Sequence, residues 1–503
     1  MKNIVLDRKS YRDKVYACWL GKNIGGTLGA PYECRKYTHA LEYFDPVPKE
    51  PAPNDDLDLQ LVWLAMLEDR GFPPRLPDFA EYWSKYARAY PWNEYGFCMR
   101  NLARGLLPPV SGWFENYYVD EMGSPIRSEI WACVAPADPQ RAAALAWMDS
   151  CMDHAGGEGM WGEMFWAAAE SAAFVIDDPR ELIRIGLAMI PPSCSIARVI
   201  KEAVWCADNG KGWGEARERI ATTYGHVQPC NAIPNHGFTI LGWLYGRDFG
   251  DRLCKAVNCG YDTDCTGATL GSVLGIVGGT RCIPRKWSDP VGKRIALHKF
   301  TRLPGAPRNL GELTDRTVAQ AEKLANLFPR DVAFGAKQAR PANLSSLLWR
   351  NEEAAAAARQ DVRSAHAAAS RAGRPPTPLA AADGHAEIVL HYGGDPVLYP
   401  GIARKMWISL RMGGMPVNGS VILKVPKGWK TVKIDSPGGG SFTVTAGRFS
   451  GAVPMTVDAA IAGKQYSAKF VVFSPDAARG FPSAVNIEYC PKCQGRKGSC
   501  LCG

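Results

Sequence analysis

The chain has 503 residues and a net charge of +9 at pH 7, too long for one ordinary hydrophobic core, so two or three domains are expected. A charge this mild does not point to nucleic acid, and the longest apolar run, about a dozen residues, is too short to span a bilayer. The N-terminal MKNIVLDRKSYRDK lacks the apolar core of a secretory signal, so a cytoplasmic location is expected.

The first strongly patterned segment is YRDKVYACWLGKNIGGTLGAPYE, where Gly21, Gly25 and Gly29 recur every fourth residue and Glu33 follows. On a helix that spacing is one ridge, and each glycine costs about 1 kcal/mol against alanine. Close packing of a second helix is the natural return. PNDDLDLQLVWLAML then sets Asn54, Asp55, Asp56 and Asp58 at the start of an apolar helix. FAEYWSKYARAY, PQRAAALAWMDSCM, GEMFWAAAESAAFVI and PRELIRIGLAMI carry apolar residues at helical spacing. Tryptophans such as Trp63 and Trp166 fall in these apolar patterns and read as core. Between two of the helices, DSCMDHAGGEGMWGEMF places His154 beside Gly156, Gly157 and Gly162. Asn231, in CNAIPNHGF, suits a helix cap.

NCGYDTDCTGATLGSVLGIVGG closes the helical part, with Asp262 and Asp264 ahead of a second ridge at Gly267, Gly271 and Gly275. Two glycine-ridged helices are expected to cross in the centre of an all-α domain covering residues 1–335. No β-α alternation appears, so no parallel sheet is expected there.

Residues 336–384 read as an alanine-rich helix (342–372) and a linker that Gly373, Pro375 and Pro376 break. From 385 to 489 the texture changes: AEIVLHY, KMWISLRM, SVILKVP, TVKIDS, SFTVTAG and KFVVFS predict a small antiparallel β-sandwich. VILKVPKGWKTVKI, with its Pro-Lys-Gly-Trp turn, resembles the small β-sandwich modules appended to many carbohydrate-active enzymes. Of sixteen cysteines, twelve are scattered between Cys18 and Cys282 and read as free thiols, among them Cys133 and Cys206. Residues 490–503 hold Cys490, Cys493, Cys500 and Cys502. The C-x2-C pair suits half of a four-thiolate Zn2+ site, but the single residue between Cys500 and Cys502 spaces the other half poorly.

The carboxylates need their own account. A lone Asp-Thr-Asp at a helix start is as readily a cap as a site. Two acidic clusters, each opening an apolar helix, would together supply several hard oxygen donors of the kind Mg2+, Mn2+ or Ca2+ takes. Without a cation they would repel and raise one another's pKa.

The order of these motifs over residues 11–300 (Gly-ridged helix ending in Glu, Asp-Asp cluster, Asp and His before a Gly-rich stretch, Asp-Thr-Asp on a second Gly-ridged helix) resembles the ADP-ribosylglycohydrolase family. The resemblance implies a compact all-α domain with a two-metal centre, usually Mg2+ or Mn2+, that cleaves ADP-ribose from a protein side chain or related acceptor. It implies that Asp55 and Asp56 form the first metal-binding pair and Asp262 and Asp264 the second. Glu33 then lies near the reacting water, with Glu33 or a metal-bound aspartate such as Asp56 accepting its proton. His154, Gly156, Gly157 and Gly162 would line the ADP-ribose pocket. Two positions depart from the pattern: Asn54 stands where a hydroxyl ligand is usual, and Cys265 where Thr is usual. An amide oxygen replaces a hydroxyl well, whereas a thiol is a poor ligand for Mg2+ and favours a softer metal or stands aside. The expected partner is an ADP-ribosylated protein. The rivals are a small glycoside of another furanose and a non-catalytic binder of ADP-ribose or glycan. The sequence carries no marker of oligomeric state.

Overall fold

The computed structural model describes residues 4–339 apart from 104, 105, 115 and 330, residue 344, and residues 377–474 apart from 382–385, 393–397, 413, 414, 437, 438 and 451. Apart from residue 344, the helix expected at 342–372 lies outside the described residues, as do the four cysteines of the tail.

A short strand, β1 (Ile4–Asp7), runs straight into α1 (Arg8–Gly29), whose first turn is capped by the Asp7 carboxylate accepting from Ser10 N–H at 2.8 Å. Then come α2 (Asp55–Arg70), α3 (Leu76–Tyr86), α4 (Asn93–Ala103), α5 (Val110–Trp113), α6 (Ser128–Val134), α7 (Pro139–Ser150) and α8 (Glu158–Ala173). The helical part continues through α9 (Pro179–Ala188), α10 (Ser195–Asp208), α11 (Trp213–Tyr224), α12 (Ala232–Tyr245) and α13 (Phe249–Val257). It ends with α14 (Thr263–Gly278), α15 (Arg285–Val291) and α16 (Leu310–Leu327). Trp63 and Trp166 are fully buried, as their helical spacing predicts. No described helix is long and apolar enough to cross a membrane.

One pairing departs from the all-α expectation. β1 lies parallel to β2 (Val332–Gly335), with Ile4 opposite Val332 and Asp7 opposite Gly335. Each strand has four residues, and neither Ile-Val-Leu-Asp nor Val-Ala-Phe-Gly alternates apolar with polar side chains, so no period-two pattern registers. The whole helical domain forms the connection between them, so no β-α alternation announces the pair.

At the centre α1 and α14 run antiparallel with their backbones in contact. A methyl at Gly21, Gly25 or Gly29 would overlap the carbonyl of Gly271, Gly267 or Thr263, and one at Gly275 would overlap Ala17. The two ridges expected from the sequence therefore face each other. The Thr263 hydroxyl locks the far end by donating to Gly29 O at 2.8 Å. This register brings the end of α1 to the start of α14.

The C-terminal module has two antiparallel sheets. One contains β3 (Thr377–Ala381), β4 (Ala386–His391), β5 (Ala403–Met412), β9 (Gly439–Thr445) and β8 (Lys430–Ser436), with β6 (Met415–Pro416) on β5. The other has the order β11 (Lys464–Phe473), β10 (Ala452–Ile461), β7 (Gly419–Lys424). Ile388, Met406 and Leu410 of the first sheet share a core with Val421, Val457 and Phe470 of the second. Because β7 pairs with β10 while β8 pairs with β9, the Pro-Lys-Gly-Trp turn carries the chain from one sheet to the other. Gly428, at φ +86°, takes the left-handed conformation that the turn requires.

Candidate active site

Three helix ends meet at one cavity. After α1, the single turn Ala30–Tyr32 leads to Glu33. The start of α2 supplies Asp55 and Asp56, and the start of α14 supplies Asp262, Asp264 and Cys265. Asn54 caps α2 by accepting from Asp56 N–H at 2.7 Å. Asp262 sits at the cap position of α14 without capping it by its side chain. Instead its N–H donates to Asn235 Oδ1 at 3.1 Å, and the Asn235 amide in turn donates to Asn231 O and Pro229 O. Asn231 caps α12 through Ile233 N–H, as its sequence context suggests.

The cavity encloses about 420 Å³. Glu33, Asp55, Glu94, Glu121, Asp262 and Asp264 line it, and no lysine or arginine is among the described lining residues. Ligand atoms of Glu33, Asp262 and Asp264 lie within 4.8 Å of one another, and so do those of Asp56, Asp264 and Cys265. The Cys265 thiol donates to Asp56 Oδ2 at 3.6 Å. Burial holds Asp262 and Asp264 well above the usual carboxylate range, with the negative charge of Glu33 adding to it. Burial and nearby Asp55 raise Glu33 as well.

Asp56 is backed by a buried cation. Lys22 Nζ stands 2.8 Å from Glu129 Oε1 and 3.7 Å from Asp56 Oδ1, while Gln60 Nε2 donates to Glu129 Oε2 and to Asp56 O. Burial pushes Asp56 up to about 7 even though Lys22 opposes the shift. Asp58, by contrast, faces away from the shared groups: its Oδ2 accepts from His298 N–H at 2.6 Å and from Tyr90 at 3.4 Å.

The donor set fits divalent cations. Asp56 Oδ1, Asp262 Oδ1 and Asp264 Oδ1 are buried oxygens with no hydrogen-bond partner, and leaving such atoms unsatisfied is costly. Converging carboxylates whose charged forms are disfavoured by burial and by one another are stabilised by a positive ion.

Comparison with known proteins decides the family. The ADP-ribosylglycohydrolase family model matches residues 7–326. The chain belongs to the ADP-ribosylglycohydrolase family. No curated protein matches the sequence. Among solved structures, a chain from an ADP-ribosylglycohydrolase-related protein complex is similar at 20% identity with a TM-score of 0.43, covering 63% of this chain and 99% of that one. The match to the family model spans the whole helical domain up to the end of α16 and none of the β-module. Family membership supports a hydrolase of ADP-ribosyl-type substrates in the helical domain.

Of the residues expected at the site, Glu33, Asn54, Asp55, Asp262, Asp264 and Cys265 all line the cavity, with Asp56 directly beneath. His154, Gly156, Gly157 and Gly162 are not among its lining residues. His154 is buried with Nδ1 2.9 Å from Asp153 Oδ1, and Asp153 is held by Arg127 at 2.8 Å. A methyl at Gly157 would overlap Val119 O, and one at Gly162 would press on His236. These glycines let the loop pack tightly, and Gly159 N–H donates to Val119 O, supporting the segment that carries Glu121.

Sequence reasoning missed Trp92, Glu94, Glu121, Cys34, Cys230 and His298 on the cavity wall, and Lys22 beneath it. Trp92 Nε1 donates to Asp55 Oδ2 at 3.1 Å, and its ring meets His298 and Phe300 edge-on. The Pro91-Trp92-Asn93-Glu94 run at a helix start was the available signal. Lys22, a charge inside the first glycine ridge, was another.

Proposed function

We propose that this chain is a metal-dependent hydrolase of the ribosyl glycosidic bond in ADP-ribosylated or related substrates. The observation that carries the reading is the convergence of Glu33, Asp262 and Asp264 within 4.8 Å at the wall of the cavity. Asp55, Asp56, Asp262 and Asp264, with Asn54 and Cys265 beside them, would hold two divalent cations of the Mg2+ or Mn2+ class, which supply Lewis acidity and orient the ribose hydroxyls. Glu33 stands at the wall as the carboxylate that accepts the proton of the attacking water. The ring of six carboxylates stabilises positive charge developing at the anomeric carbon. Trp92 and His298 offer ring surface on the side of Asp55 for a base or sugar face.

A second reading has an observation of its own. A wall of carboxylates without lysine or arginine repels a pyrophosphate, which favours an uncharged furanoside as substrate. Calorimetric titration of ADP-ribose into the protein loaded with Mg2+ or Mn2+ separates the two. ADP-ribose binding, lost in Asp262→Ala together with about a thousandfold of hydrolysis, supports the first reading. No ADP-ribose binding, with turnover of aryl furanosides, replaces it with the second. Binding without turnover under either metal removes hydrolysis altogether.

A further inference from the structure

Glu33 is also the corner of a second triad. Ligand atoms of Glu33, Cys34 and Cys230 lie within 4.8 Å of one another on the cavity wall, and both cysteines are free thiols. The backbone on each side is anchored. Cys34, at φ +66°, donates its N–H to Tyr261 O at 2.9 Å, and Tyr261 N–H donates back to Arg35 O at 2.9 Å. Cys230 O accepts from Met122 N–H at 2.9 Å, and the preceding Pro229 O accepts from Asn235 Nδ2 at 2.7 Å. The thiols are therefore brought together by four anchored segments of the domain.

Two sulfurs and one carboxylate with an open side are the donor set of a thiophilic divalent cation. Zn–S bonds of about 2.3 Å at tetrahedral angles place two sulfurs about 3.8 Å apart, within the spread of this triad. Hard Mg2+ prefers oxygen ligands alone, so the two kinds of ion sort between adjacent sets of side chains that share Glu33.

We propose that Cys34, Cys230 and Glu33 form a binding site for Zn2+ or a similarly thiophilic cation, and that its occupation withdraws Glu33 from Asp262 and Asp264 and stops hydrolysis. The inhibitory half rests on the function proposed above, whereas the metal site does not. Co2+ titrated into the full chain, with Mg2+ saturating and a phosphine reductant present, reads the site by its sulfur-to-cobalt charge-transfer absorption. The band is expected at about one equivalent in the wild type and in Cys265→Ser, and absent from Cys34→Ser/Cys230→Ser at unchanged circular dichroism. A band that survives in the double variant, one lost in Cys265→Ser, or a Cys34–Cys230 disulfide in the reduced preparation overturns the proposal. For hydrolysis, measured relative to its own rate without Zn2+, the double variant is expected to need at least about tenfold more Zn2+ for half inhibition. Equal inhibition of both proteins overturns the link to Glu33. A cobalt band in a protein that hydrolyses nothing supports the site and overturns the proposed function instead.

Discussion

At the α1–α14 crossing the two helices touch through their backbones, with glycine set against carbonyl. In the C-terminal module the two sheets meet through side chains such as Met406, Leu410 and Phe470, and the outer faces leave Ile422, Val432 and Ile434 more than half exposed. The first contact has no slack, because a backbone cannot change rotamer. The second can absorb a change of side chain, since much of each strand faces water. Tolerance to substitution should therefore differ sharply between the helical domain beneath the cavity and the exposed face of the module.

The largest effect is expected at Lys22. Lys22→Met leaves Glu129 buried without its cation, a loss of about 3–5 kcal/mol when one partner of a buried pair is removed. The shift in denaturant midpoint measures it, and Lys22→Met combined with Glu129→Gln should regain most of the loss. Next comes Gly25→Ala. Overpacking at the Gly267 carbonyl costs about 3 kcal/mol, against about 1 kcal/mol gained in helix propensity, a net loss of about 2 kcal/mol. Gly96→Ala, where an added methyl meets nothing within 4 Å, should lose no stability in the same assay.

A third effect depends on pH. Burial raises Glu94 from 4.5 to about 7. A carboxyl raised in the folded state favours folding below its unfolded value and loses that contribution as pH rises through the folded one. Stability of the metal-free protein should therefore fall between about pH 4.5 and pH 7, and Glu94→Gln should flatten that fall by no more than about 2 kcal/mol. Thermal melts across this window test it, and an unchanged slope would mean that Glu94 is ionised in the fold. The smallest effect is expected in the module: Val432→Thr on β8, where Val432 is 62% exposed, should move stability by less than about 0.5 kcal/mol and leave hydrolysis unchanged. A large effect there would mean that the outer face of the sheet is covered.

What the sequence made legible follows the same division. The glycine ridges and the acidic clusters were readable because helical periodicity fixes which residues share a face. Their alignment put Glu33, Asp56, Asp262 and Asp264 together. The cavity wall was not readable: Trp92, Glu121, Cys230 and His298 lie on connecting segments or at their edges, where no period relates sequence distance to space. His154 lies away from the lining for a related reason. A histidine among glycines signals close backbone approach, and here the group that approaches Gly157 and Gly159 is Val119 O. In the module, β10 escaped notice because Pro454 and three alanines dilute its β signal, although it pairs with both β7 and β11.

The hydrogen bond between Thr263 and Gly29 spans 234 residues of chain, and this separation bears on the order of synthesis. α1 leaves the ribosome early with its glycine face uncovered, and the helix that covers it follows only after α2 to α13. At 5–20 residues per second, α1 waits roughly 12–47 s for α14. Until then Glu33 and Asp262 belong to unconnected parts of a growing chain, and the cavity between them does not exist. The capacity for chemistry is thus completed among the last events in making the helical domain, when its first helix meets its fourteenth.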